Sequence, residues 1–139
     1  MDILTQAIAD TATLHLKGAD GQPLYSGEGA GKKPVLAILH SPGSEAYAEI
    51  ETKQTQRFLK RMDDNDGKRT AMSADERLAQ TAEDLADATV EFQNLNLGEH
   101  TGRALLLAVY GNRKLGFIAN QVTKYLADWG NFKGASAAP

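Results

Sequence analysis

A shortage of large apolar side chains sets the first limit on what this chain can fold into. Leu, Ile, Val and Phe supply 29 of its 139 residues, whereas alanine alone supplies 21. Chains in which those four types fall below about 20% tend not to fold alone, and this one stands just above that mark. A chain of this length is expected to form one domain and to bury about 68% of the surface that its unfolded form exposes. Two readings follow: a marginal monomer that gains from partners, or a small helical domain whose contacts are lined with alanine.

Charge and composition remove several classes of function. The 15 basic and 18 acidic residues give a net charge of −3, which disfavours non-specific attraction to nucleic acid. There is no cysteine, so disulfides, thiol catalysis and thiolate metal sites are excluded. Met1 to Asp10 carries Asp2 and Asp10 but no basic residue, so a signal peptide is not expected there. No apolar run approaches the roughly 20 residues needed to span a bilayer, and no membrane association is expected.

Periodicity then assigns elements. In residues 11–17, Leu14 and Leu16 fall on one face at strand spacing and Thr13 and His15 on the other. The turn signal Gly18-Ala19-Asp20-Gly21 predicts a hairpin into Leu24-Tyr25. Ser26 to Lys33 is rich in small residues and has no apolar anchor, which predicts a mobile loop. Pro34 to His40 reads as a short buried strand. Ser41-Pro42 follows as an N-cap with proline in the first turn of a helix reaching about Met62. On that helix Tyr47, Ile50, Phe58 and Met62 lie near one face, and acidic residues precede basic ones in the sense that suits the helix dipole.

After the polar break at residues 63–69, Ser73-Ala74-Asp75-Glu76 fits a capping box, with Leu78, Ala82 and Leu85 at helical spacing and an end near Thr89. Val90 to Leu97 alternates imperfectly and leaves strand, turn and irregular structure open. From Gly102 a buried helix runs to Gly111, and Asn112 can cap a last helix. In that helix Leu115, Ile118, Val122, Tyr125, Leu126 and Trp129 recur at i, i+3, i+4 and i+7, and Gly130 is expected to stop it. The expected fold is α+β and mainly α-helical, with an N-terminal β-hairpin or small sheet packed against about four helices. Residues 1–132 are expected to make one domain, and residues 133–139 a disordered tail with almost nothing to bury.

Signals of chemistry fail on spacing. Gly27 to Lys33 resembles a phosphate loop, but Ser26 stands where its first glycine belongs and Lys33 replaces the magnesium-binding Ser or Thr. Asp63-Asp64-Asn65-Asp66-Gly67 resembles the start of a calcium loop, yet the glycine falls one position early. His15, His40 and His100 lack ligand spacing. No catalytic, cofactor or metal site is expected. Phe58, Tyr110, Tyr125 and Trp129 read as core on apolar helix faces. Phe132 lies between the helix stop and the tail, either as a C-terminal staple or as an exposed anchor for a partner, and Trp129, Asn131 and Phe132 form the candidate partner-binding site.

Taken in order, these segments resemble the tail assembly chaperones of long-tailed bacteriophages, small proteins encoded just before the tape measure protein. The resemblance covers most of residues 11–132. It rests on the strand pair and turn of residues 11–24, on Pro34-Val35, and on Pro42-Gly43-Ser44 with Tyr47. It continues at residues 90–95 with Gly98, and ends on Leu107, Tyr110, Ile118, Gln121-Val122, Asp128 and Asn131-Phe132. Members of the family often carry tryptophan where Phe92 stands. The resemblance implies an assembly factor of the host cytoplasm that is absent from the mature virion. Such proteins coat the tape measure protein, keep it soluble and bring tail tube subunits to it, in many cases through a longer product of ribosomal frameshifting. Family members also self-associate into spirals, which would suit a thin core. The alternatives are a structural tail or head–tail connector protein and a small bacterial enzyme.

Overall fold

The computed structural model describes residues 1–65 and 72–133. Its strands are β1 (Thr11–His15), β2 (Tyr25–Ser26), β3 (Lys33–Pro34), β4 (Leu36–His40) and β5 (Thr89–Gln93). Its helices are α1 (Glu45–Asp64), α2 (Ala74–Ala88), α3 (Gly102–Tyr110) and α4 (Gly116–Ala127). The fold is α+β and mainly helical, as composition and periodicity predict.

The sheet is less local than a hairpin. β4 lies in the centre, with β1 and β5 antiparallel on either side. The turn at Gly18–Gly21 does form, closed by Gly18 N–H to Gln22 O at 2.9 Å and Gly21 N–H to Gly18 O at 2.9 Å. Past it Lys17 pairs with Pro23 and Leu24 N–H donates to Leu16 O at 2.9 Å, closing the predicted hairpin, and the chain then runs through the small β2–β3 hairpin before returning as β4. Strand β4 wins the central place because its alternation buries Ala37 and Leu39 completely, while Leu36 and Ile38 cover the other face. Residues 89–93, left open by their pattern, take the third place. A bulge at Val90 puts Glu91 opposite Ile38 and Thr89 opposite Leu39.

Ser26 to Lys33 is a loop held at both ends. Its ends pair as β2 and β3 around a 3-10 turn at Gly29–Gly31. The anchor missing from its apolar content is supplied differently, by main-chain pairing and by Lys32 Nζ held 4.2 Å above the half-exposed Tyr25 ring.

Helices cover the sheet through small contacts. α2 buries Ala82, Leu85, Ala86 and Ala88, α3 buries Leu106, Val109 and Tyr110, and α4 buries Ile118, Val122 and Leu126. Alanine thus accounts for four of the 17 buried hydrophobic residues among those described, and three of the four lie on α2. The capping box forms as predicted, with Ser73 Oγ accepting Glu76 N–H at 3.1 Å. At the inner end, the Thr89 hydroxyl donates to Leu85 O at 2.6 Å, so the Tyr110 phenol must be the donor in their 2.7 Å contact.

Two helix limits differ from expectation. Ser44, not Ser41, caps α1: its Oγ accepts Tyr47 N–H at 3.2 Å and donates to Ser41 O at 2.7 Å. Pro42 and Gly43 are the middle of a turn closed by Ser44 N–H to Ser41 O at 3.0 Å, so proline serves the turn rather than the helix. At the other end α1 runs on to Asp64, through the start of the predicted polar break. Asp66 and Gly67, which complete the calcium-like run, lie outside the described residues. Only Ile50 of α1 is buried, and Phe58, expected in the core, is 47% exposed.

Candidate functional site

The C-terminal end of α4 is where the predicted site residues meet, and side-chain amides build the ground on which they stand. Gln121, on α4, grips the main chain just beyond β1. Its Nε2 donates to Lys17 O at 2.6 Å, while Lys17 N–H donates to its Oε1 at 2.7 Å. Four residues on, the Tyr125 phenol lies 3.3 Å from Asn131 O and 3.4 Å from Thr13 O.

Helix α4 stops at Ala127, short of the predicted limit, because Asp128 starts a separate 3-10 turn over Trp129–Phe132. Its Oδ1 accepts Gly130 N–H at 3.0 Å, a cap that competes with continuing the helix. Trp129 accordingly leaves the apolar face of α4 and stands 56% exposed. The N-terminal segment runs alongside the turn, with Ala9 N–H donating to Phe132 O at 2.8 Å.

The three candidate binding residues separate in this geometry. Phe132 is fully buried, edge-on to Tyr125 with ring centroids 5.4 Å apart. It is the staple, and its assignment as an exposed anchor is corrected by that burial. Asn131 turns its amide inward, Nδ2 donating to Tyr125 O at 3.1 Å. Trp129 alone offers a large apolar surface to a partner. It lies over Gly43, where an added Cβ would sit 3.4 Å from the indole and 3.2 Å from Ile8. Glycine there lets the indole, Ile8 and the β4–α1 turn come together, a convergence that no local periodicity announces. The same N-terminal segment holds Ile3 and Leu4, 72% and 75% exposed, on a 3-10 turn capped by Asp2.

The other residues singled out by sequence lie apart. His15 is half-buried at the end of β1, its Nε2 2.8 Å from Leu24 O and its ring 5.0 Å from that of Tyr25. His40 ends β4 and His100 is exposed before α3. Among the described residues no group of three or more His, Asp or Glu could hold a metal ion. Between β5 and α3 lies a cavity of about 420 Å³ lined by Asp87, Val90, Phe92, Arg103 and Leu106 among others. Ionisation is perturbed mainly at phenols. Burial pushes Tyr110 and Tyr125 up, and Tyr47 is raised by burial and then by Glu51 and Asp84. Glu76 is lowered, chiefly by hydrogen bonds from Arg61 and Ser73.

No helix among the described residues is long and apolar enough to cross a membrane. No protein-family model matches the chain, and neither curated proteins nor solved structures give a match.

Proposed function

We propose that this chain is a phage tail assembly chaperone. It binds the tape measure protein, keeps it soluble in the host cytoplasm, helps recruit tail tube subunits, and stays out of the finished particle. One observation carries the reading. The residues on which the resemblance rests are scattered from position 11 to 132, yet many of them meet along one seam. Thr13 on β1 and Lys17 just beyond it are bridged to α4 by Tyr125 and Gln121. Asp128 and Asn131 shape the turn that seats Phe132, and Gly43 receives the indole of Trp129. Members of the pattern, together with Tyr125 and Trp129 outside it, thus support one another in space, as the parts of one shared fold would.

The seam also leaves a binding group on its rim. Trp129 and the neighbouring Ile8 combine a large rigid apolar surface with main chain already held in place, the combination favoured at binding hot spots. Co-expression with a tape measure protein, which this reading expects to be encoded beside it, tests the proposal. The tape measure protein is expected to become soluble and to copurify with this chain. A tape measure protein equally insoluble with and without it would overturn the proposal. Mass spectrometry of purified virions is expected to find the chain absent, and stoichiometric amounts there would make it a structural tail protein instead.

A further inference from the structure

Helix α1 is the longest element, with 20 residues spanning about 30 Å, and it is joined to the rest of the fold unlike any other helix. Helices α2, α3 and α4 each bury at least three side chains, whereas α1 buries only Ile50. Between Glu51 and Lys60 every residue but Arg57 is exposed.

Beyond Tyr47 and Ile50, which pack on the core near its start, α1 is held by a ladder of polar links to α2. Lys53 reaches Asp87 at 3.3 Å, Gln54 reaches Asp84 at 3.2 Å, and Arg57 reaches Glu83 at 3.2 Å and also Asp84. Arg61 completes it on Glu76 at 3.1 Å. Under the first half of α1 lies a cleft of about 280 Å³ lined by Tyr47, Ile50, Leu85, Ala88 and Leu126 among others, so the helix bridges this space rather than filling it. Further along α1, the Arg57 Nε is buried with no hydrogen-bond partner, a cost that opening would relieve. At its N-terminal end α1 is tied to β4 through the turn at Ser41–Ser44, whose Gly43 is exposed.

We infer that α1 is an ion-latched arm that lifts from α2 and α4 as a unit while the sheet, α2, α3 and α4 stay closed. Exposed ion pairs are individually weak and are screened by salt, the Debye length falling from about 10 Å at 0.1 M to about 3 Å at 1 M. Apolar contacts of the kind that hold α2 to α3 and α4 are not weakened in this way. The body carries ion pairs of its own, Arg103 to Asp87 at 2.7 Å and Arg113 to Asp75, but it keeps its buried apolar contacts when they are screened, so α1 is more salt-sensitive than the body. Opening brings Leu85 and Leu126 into contact with solvent. The inference rests on the α1–α2 contact alone and is independent of the tail-assembly reading.

Amide hydrogen exchange on the full chain in low salt and in about 1 M NaCl tests it. Residues 51–62 are expected to exchange about tenfold faster in high salt, measured against α4 amides that change by less than about twofold. Unchanged protection of residues 51–62, or loss of protection in step with α4, would overturn the inference. A charge reversal gives an independent arm. Arg57→Glu faces Glu83 and Asp84 and is expected to speed exchange of residues 51–62 about tenfold at low salt, while Arg57→Glu with Asp84→Arg slows it again. Failure of the double variant to recover would count against the latch. Loss of α4 protection in the single variant would show that α1 is integral to the fold, and would count against it equally.

Discussion

Trp129 and Phe132 share one 3-10 turn and have opposite surroundings. Phe132 is fully buried against Tyr125, so Phe132→Ala leaves a cavity and is expected to cost about 3 to 5 kcal/mol in denaturant unfolding. Trp129 is 56% exposed, and Trp129→Ala is expected to cost less than about 1 kcal/mol while weakening the proposed capture of the tape measure protein. Equal losses of stability in the two variants would remove the distinction drawn between staple and binding group. A second residue-scale expectation concerns alkaline pH. Burial holds the Tyr110 phenol protonated in the folded chain well above the value of about 10 at which it ionises when unfolded. The stabilisation linked to that proton is complete below pH about 10 and is lost as pH rises beyond it, because the unfolded chain then releases a proton that the folded chain keeps. Tyr110→Phe removes this dependence along with the bond to Thr89. Its stability, followed by urea unfolding at a series of pH values, is expected to be about 1 kcal/mol lower at neutral pH and to fall less steeply above pH about 10. A slope identical to that of the unmodified chain would show that Tyr110 is not the group responsible.

Among the elements, the start of α1 separates two serines that look alike in sequence. Ser44 Oγ satisfies a first-turn N–H, so Ser44→Ala is expected to cost about 1 to 2 kcal/mol. The Ser41 hydroxyl is fully buried without a partner, so Ser41→Ala is expected to change stability by less than about 0.5 kcal/mol, or to raise it. The reverse order, measured by thermal unfolding of both variants, would restore the cap to Ser41. Local signals were sufficient where one element decides its own fate. The Ser73 capping box, the short apolar run of residues 34–40 and the glycine stop after Tyr110 were all legible as short-range chemistry. They were insufficient where a distant partner decides. Thr89–Gln93 is a strand because β4 offers an edge, and Lys33–Pro34 is one because Tyr25–Ser26 pairs with it. Trp129 kept helical spacing with Leu126 and Val122, yet the Asp128 carboxylate turned the main chain before that spacing could count. Of the candidate binding site, Trp129 could be read from composition beside a glycine, but Ile8 and Gly43 could not, since nothing near either residue in sequence indicates that the other approaches it.

For the whole molecule, the thin apolar content raises the question of which surfaces are left able to join copies. Sheets most often associate through open edges, and here both edges are blunted. β1 has the C-terminal turn and the Tyr125 phenol beside it, and β5 carries the Val90 bulge and the exposed Glu91. Among the described residues the exposed apolar groups lie instead on several elements: Met1, Ile3 and Leu4 in the N-terminal segment, Tyr25 on β2, Phe58 and Leu59 on α1, Val90 on β5 and Trp129 in the turn after α4. Patches this separated do not make the roughly 800 Å² per partner of a stable interface, so self-association is expected to be weak and reversible. Sedimentation velocity over a wide concentration range is expected to show a boundary that moves faster as concentration rises, without a discrete large species. Because the β5 edge is blunted, Val90→Lys is expected to leave that trend unchanged, whereas Trp129→Ala, which removes the largest exposed apolar side chain, is expected to weaken it. The opposite pairing of results would move the contact to the sheet edge. A single monomer boundary at the highest concentrations would mean that the dispersed apolar groups serve no contact between copies, and that Trp129 and Ile8 are available only to a different protein.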